Sequence, residues 1–309
     1  MRYRNLLLFL LLTSVWGAAF VAIKAGLTVG FPPVLFAALR YDIAGLLMLG
    51  YAMTRGCQLV PRSREDWALV AVGATFLIAG YHTLLFVGEG FPGVTSASAA
   101  IVVSLSPVLT TGFARVILPD ERLTLLGIVG MLLGLVGVAV IDPPSPTNLV
   151  ASPGILLVFG ATITFAFGSV LLRRVESTLS IETMQAWAMI LGALLMHAVS
   201  AGLGESPAQF LAVVVANPLT AGGALGYLSV VASAFGFLVY FTLLERLGPV
   251  EINLVSYGAP VVAAIVGVTL LNEVVTVSAI AGFLTILVGF VLLKREAIGA
   301  ELHRVARPS

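Results

Sequence analysis

Ten times between its charged positions this chain runs through an apolar stretch of about 20 residues, the length a helix needs to cross a bilayer core about 30 Å thick. The spans fall near residues 5–23, 33–54, 67–88, 93–114, 123–141, 152–172, 183–203, 219–244, 252–272 and 275–293. Their solvent is lipid. Apolar residues fill 59% of the 309 positions and charged residues 10%, which would leave a soluble domain too little polar surface to show to water. The runs are continuous rather than alternating, so they predict helices and not barrel strands. The expected fold is an all-α membrane protein of ten transmembrane helices. The start Met1-Arg2-Tyr3-Arg4 and its apolar run also fit a signal peptide, but nine similar spans come after it, so it is read as an uncleaved first helix.

Charge in the loops sets the orientation. With the N-terminus in the cytoplasm, loops on that side hold 14 of the 16 Lys and Arg residues, among them Arg55, Arg62, Arg64, Arg115, Arg173, Arg174, Arg246 and Lys294. Lys24 alone is left outside, and Arg40 lies within the second span. This positive-inside bias places both termini in the cytoplasm of a cell inner membrane, which requires an even number of spans. The apolar piece from Pro207 to Asn217, in the longest external connection, is too short to span and reads as interfacial or re-entrant.

Several function classes fall away. The single cysteine, Cys57, excludes an intrachain disulfide and a cysteine-held metal cluster. No phosphate loop of the G-x-x-x-x-G-K-[ST] kind is present, so the chain carries no nucleotide-driven motor of its own. Paired aspartates, H-E-x-x-H and a serine nucleophile with its base are all missing, so no catalytic residue, metal or cofactor is expected. The expected partners are a small-molecule substrate and the lipid bilayer, with no nucleic acid, and the chain is expected as a monomer or weak homodimer.

An internal repeat organises the spans. Glu121, Thr124, Gly130 and Gly137 recur at identical offsets as Glu273, Thr276, Gly282 and Gly289. Upstream of each glutamate stands a helix with a central proline, Ser104-x-x-Pro107 and Tyr257-x-x-Pro260. More loosely, Trp16-Gly17 through Lys24 aligns with Phe165-Ala166 through Arg173. The chain divides into residues 1–147 and 148–309, five helices each. An odd number turns the second half upside down, the inverted-repeat (5+5) architecture of secondary transporters whose substrate sits near the midplane.

The chain resembles the EamA-type branch of the drug/metabolite transporter superfamily over essentially its whole length. The resemblance rests on Trp16-Gly17-Ala18-Ala19-Phe20, Leu39-Arg40-Tyr41, Pro107 with Leu118-Pro119-Asp120-Glu121-Arg122-Leu123, and Pro260 with Leu270-Leu271-Asn272-Glu273-Val274-Val275. It implies a ten-helix exporter with a cavity lined mainly by the third, fourth, eighth and ninth helices, helped by the first and sixth. Amino-acid exporters, including exporters of aromatic amino acids, belong to this branch.

Ionisable groups in lipid cost at least about 2.5 kcal/mol each and need a partner or a task. Arg40 has two readings, a grip on a substrate carboxylate or a tie between helices through carbonyls. His82 shares a helical face with Phe86 and Glu89 and either meets substrate, takes a proton or serves structure. His197 reads as interfacial. Ser104, Pro107 and Thr111 mark one stripe of small or polar residues, and Asn253, Tyr257 and Pro260 mark its counterpart. The prolines free carbonyls that a wet cavity can satisfy, as hinges or as plain packing kinks. Glu121 and Glu273 are expected to be structural. Trp16, Tyr81, Phe86, Phe165, Tyr240 and Tyr257, with Trp187 as an outlying candidate, would suit a substrate with an apolar or aromatic side chain. Gly127, Gly130, Gly134 and Gly137 offer a seam for close helix contact, within the monomer or between two copies.

These residues favour a secondary carrier exporting amino acids by alternating access. A sugar-phosphate or nucleotide-sugar antiporter would want several cavity cations where Arg40 stands alone. A cationic-drug exporter would want a buried acid, for which Asp42 is the candidate.

Overall fold

In the computed structural model, residues 2–117, 125–141, 152–247, 252 and 255–306 are described. Glu121 and Asn253 lie outside the described residues. Among those described, every regular element is helical.

Among the described residues, seven helices are long and apolar enough to cross a membrane. In chain order α1 is Arg2–Thr28, α2 Pro33–Thr54, α3 Arg64–Gly90 and α4 Ser96–Ile117. Shorter α5 is Leu125–Ile141, then come α6, Pro153–Leu172, and α7, Ile181–Gly202. Next are α8, Pro207–Ala216, and α9, 218–247, of which Pro218–Tyr240 is the apolar part. The shorter α10, Val255–Leu271, and α11, Val277–Ala306, end the series. The short apolar helices α5, α10 and the Val277–Leu292 part of α11 stand where the fifth, ninth and tenth spans are expected.

Local chemistry sets the ends. Pro33 opens α2 because its fixed φ suits a first turn and its missing N–H is not needed there. Ser63 and Asp66 form a reciprocal capping box at the start of α3. The chain leaves α1 and α7 through left-handed backbone at Gly30 (φ 100°) and Gly204 (φ 74°), open to glycine without steric cost.

Two helices are wound unevenly. Within α3 the segment Gly73–Gly80, and within α9 the segment Tyr227–Phe235, form wide π-type turns. Gly73 stands 34 residues before Pro107 and Tyr227 stands 33 before Pro260, so the two irregularities occupy matching places in the two halves. The two prolines behave differently. The helix breaks at Ser104 and Leu105 just before Pro107, whereas Pro260 sits inside an unbroken α10.

The most extensive pairings are α5 with α11, α2 with α7 and α3 with α6, and after them α3 with α7 and α1 with α10. The α5–α11 seam is made of glycines. A Cβ at Gly137 would lie 2.8 Å from the Gly282 carbonyl oxygen, and one at Gly282 would lie 2.6 Å from that of Gly137. Gly289 closes on the Gly130 carbonyl in the same way, at 2.5 Å. Exchange of the repeats turns Gly130 into Gly282 and Gly289 into Gly137, so one contact is the image of the other, as a two-fold relation requires. The glycine stripe of α5 is thus filled from within the chain.

Candidate functional site

A cation stands in the middle of the bundle. Arg40 is 6% exposed, its Nε donates to Ser233 Oγ of α9 at 3.1 Å, and its guanidinium carbon lies 4.9 Å from the centroid of the Tyr41 ring. Tyr81 and Tyr227 are also within reach of its charge. Among the described residues no carboxylate pairs with it. An arginine enclosed in the bundle with no carboxylate beside it among the described residues is open to an anion from outside the chain.

Around Arg40 the side chains are tightly organised. His82 Nδ1 lies 3.0 Å from the Ile78 carbonyl, which can only accept, so this nitrogen carries the proton. In the neutral ring Nε2 then accepts from the Tyr41 hydroxyl at 2.6 Å. Both nitrogens are therefore engaged within the protein, and His82 positions Tyr41 next to Arg40. Tyr81 packs between the His82 ring at 4.5 Å and the Phe165 ring of α6 at 5.3 Å. Phe86 is fully buried, its ring 5.4 Å from that of Phe36.

A second aromatic group joins α1 to α9. Trp16 donates from Nε1 to the Ala232 carbonyl at 3.1 Å and stacks on Tyr240 at 5.5 Å, with Phe237 edge-on at 5.8 Å. The Ala232 carbonyl belongs to the wide-turn segment, so the Trp16 bond secures backbone at the irregularity. Beside it, Tyr227 donates to the Val15 carbonyl at 2.8 Å. On α10, Tyr257 is 8% exposed and packs on Phe290 at 4.6 Å, and its hydroxyl has no hydrogen-bond partner among the described residues. Thr13 Oγ1 on α1 is in the same condition, with its side chain against Gly258. Two orphaned hydroxyls near the α1–α10 contact are places for water or a ligand.

Other expected site residues are placed elsewhere. The Ser104 hydroxyl is fully buried and donates to the Ile101 carbonyl at 2.6 Å, beside the break before Pro107. Trp187 lies at the arginine-rich end, where Nε1 donates to the Leu59 carbonyl at 2.7 Å and the ring meets Trp67. Its neighbour Thr183 donates to the Gln58 carbonyl, and Ser177 donates to Asp66, so the α2–α3 and α6–α7 connections are tied together. His197 meets Asp42 at 2.7 Å across the α2–α7 contact.

The opposite end is closed by acids. Glu205 accepts from the Val34 and Leu35 amides, at 3.0 and 2.7 Å, completing the first turn of α2. Glu273 accepts from the Ser96 amide and hydroxyl at the start of α4. Lys24 donates from Nζ to the Glu89 main-chain carbonyl at 2.9 Å.

Sequence reasoning overlooked Tyr41, Ser233 and Glu205. Ser229 and Ser233, both fully buried and four residues apart, did leave a signal: hydroxyls spaced on one face of an apolar helix.

Among known proteins, the model of the EamA-like transporter family matches residues 4–141 and again 152–295. The uncharacterized transporter YvbV of Bacillus subtilis (strain 168) is 29% identical, over 95% of this chain and 92% of its own. The uncharacterized inner membrane transporter YedA of Escherichia coli (strain K12) is 31% identical, over 88% and 86%. A Salmonella typhimurium (strain LT2) protein named "Probable amino-acid metabolite efflux pump" is 25% identical, over 98% and 97%. A crystal structure of another protein shares the fold with a TM-score of 0.60, covering 95% of this chain and 98% of that one at 22% identity.

Proposed function

Because this chain belongs to the EamA-like transporter family, we propose that it is a secondary carrier exporting small metabolites, foremost amino acids with apolar or aromatic side chains, by alternating access through a central cavity. It is a transporter and not an enzyme. In this reading the chain crosses the cell inner membrane ten times as two inverted five-helix halves, with both termini in the cytoplasm. The arginine-rich end that holds Asp66 then faces the cytoplasm, and the end with Lys24, Glu89 and Glu273 faces outward. The lopsided Lys and Arg distribution and the reciprocal glycine contacts support that arrangement.

The observation that carries the substrate class is Arg40. Ser233 and the Tyr41 ring hold its guanidinium in place without neutralising it, which fits the carboxylate of an amino acid. Tyr81 with Phe165, and Trp16 with Tyr240, offer ring faces to an apolar side chain. The name of the Salmonella relative supports the same class.

The test is uptake and counterflow of a radiolabelled amino-acid panel in proteoliposomes, with aliphatic and aromatic members and with or without an imposed pH gradient. Saturable flux that unlabelled aromatic amino acids compete away, and that Arg40→Met removes, is the expected result. Folded protein that moves no amino acid overturns the assignment.

A further inference from the structure

Glu89 is fully buried, and neither carboxyl oxygen has a hydrogen-bond partner among the described residues. A carboxylate stripped of water and of hydrogen bonds is among the costliest groups a protein can enclose, and adding a proton removes most of that cost. The charged groups that face it are Lys24 on α1 and Glu273 in the α10–α11 turn. Among the described residues of α2, α4 and α6 none acts on it. Lys24 spends a hydrogen bond on the Glu89 main-chain carbonyl. Glu273 is committed to the start of α4 through Ser96. Two carboxyls thus share the field of one ammonium, and the balance is neutral when one of them is protonated. Glu273 already accepts from the Ser96 amide and hydroxyl, whereas the enclosed Glu89 carboxyl meets no donor among the described residues, so the proton belongs on Glu89.

We propose that Glu89 is a proton-binding site in the gate at this end of the bundle. It holds a proton while α1, α3, α4 and the α10–α11 turn are closed over it, and gives that proton to the adjoining medium when they part and water reaches the carboxyl. No proton crosses the membrane in this exchange, because it leaves by the side it entered. The step deepens the transport reading, since it makes the outward-open state scarcer in an acid exterior, but the protonation itself does not depend on any substrate.

Two measurements test it without one. Infrared spectroscopy of the purified protein at neutral pH should show the carbonyl band of a buried carboxylic acid, and Glu89→Gln should remove it. Absence of the band from the native protein, or its persistence in E89Q, overturns the proposal. Glu89→Leu, which buries no polar atom, serves the same purpose where the amide disturbs folding. The second measurement places a cysteine at Ala97 in protein carrying Cys57→Ser and tracks its labelling from outside by a membrane-impermeant maleimide. Labelling should slow as the outer medium is acidified, by up to about tenfold per pH unit beyond the thiol's own dependence, since one proton leaves per opening. The E89Q background should show the thiol's dependence alone; equal slopes in the two backgrounds overturn the proposal. An infrared band together with unequal slopes, in a protein that moves no amino acid, would sustain the gate and discard the substrate.

Discussion

Asp42 Oδ2 and His197 Nε2 meet at 2.7 Å across the contact between α2 and α7, with 37% and 35% of the two side chains exposed. Asp42 is two residues from Arg40 yet serves a different face of the helix, so the acid and the cation do not neutralise each other. Interhelical polar contacts in membrane proteins contribute on the order of 1 kcal/mol. A double-mutant cycle of Asp42→Asn and His197→Phe, read by thermal unfolding in detergent, should give a coupling of about that size. Transport by Asp42→Asn should persist. Its loss, with the fold intact, would make Asp42 a substrate or proton ligand and revive the cationic-drug reading.

Arg40 should tolerate no replacement. Arg40→Lys keeps the charge but loses the planar fork held by Ser233 and stacked on Tyr41, and transport efficiency should fall by at least about tenfold, or about 1.4 kcal/mol. Ser233→Ala should give a smaller loss by freeing the guanidinium to swing. Melting curves close to the native protein's, together with lost flux, are the expected pair of readings. Full flux in Arg40→Lys would reduce the arginine to a tie between helices.

Tyr257→Phe removes a buried hydroxyl that has no protein partner among the described residues, so the melting temperature should hold or rise, by up to about 1 kcal/mol of stability. If that hydroxyl faces bound substrate, KM for the best amino acid should rise severalfold with kcat kept. Thr13→Val, at the neighbouring orphan, should show the same pattern. A marked destabilisation of either variant would mean that ordered water, and not substrate, occupies the place.

The glycine seam gives a prediction about stability alone. Gly137→Val and Gly282→Val each drive a side chain into the other's carbonyl, and should cost about 1–3 kcal/mol or prevent folding. Gly222→Val, where nothing lies within 4 Å of the added Cβ, provides the control and should keep its melting temperature within a few degrees. Dimerisation changes without destabilisation would contradict a seam buried within one chain.

Helices were legible in the sequence because length and continuous apolarity suffice for them, and the glycines of the fifth span were readable as a seam for close contact, though not which helix fills it. Winding was not. The wide turns of Gly73–Gly80 and Tyr227–Phe235 add a residue per turn and rotate the helix beyond them, so a regular 3.6-residue count across them misplaces faces. His82 illustrates the cost for the site. Its helical face was readable, but its partner Tyr41 lies 41 residues earlier, on another helix whose packing no local pattern encodes. Ser104 read as part of a polar stripe because a sequence does not show that its hydroxyl is spent on the carbonyl three residues back. Glu89 had the opposite fate, since only enclosure reveals that its carboxyl has no partner among the described residues.

The acids that finish α2 and α4 carry a consequence for synthesis. Ser96 leaves the ribosome 177 residues before Glu273, and Leu35 leaves it 170 before Glu205. Each of these early helices therefore enters the bilayer with first-turn amides, those of Val34, Leu35 and Ser96, that wait for a carboxylate from the far half. The first five helices alone form an unfinished product, and the last helix pair to emerge acts as the clasp that ends assembly.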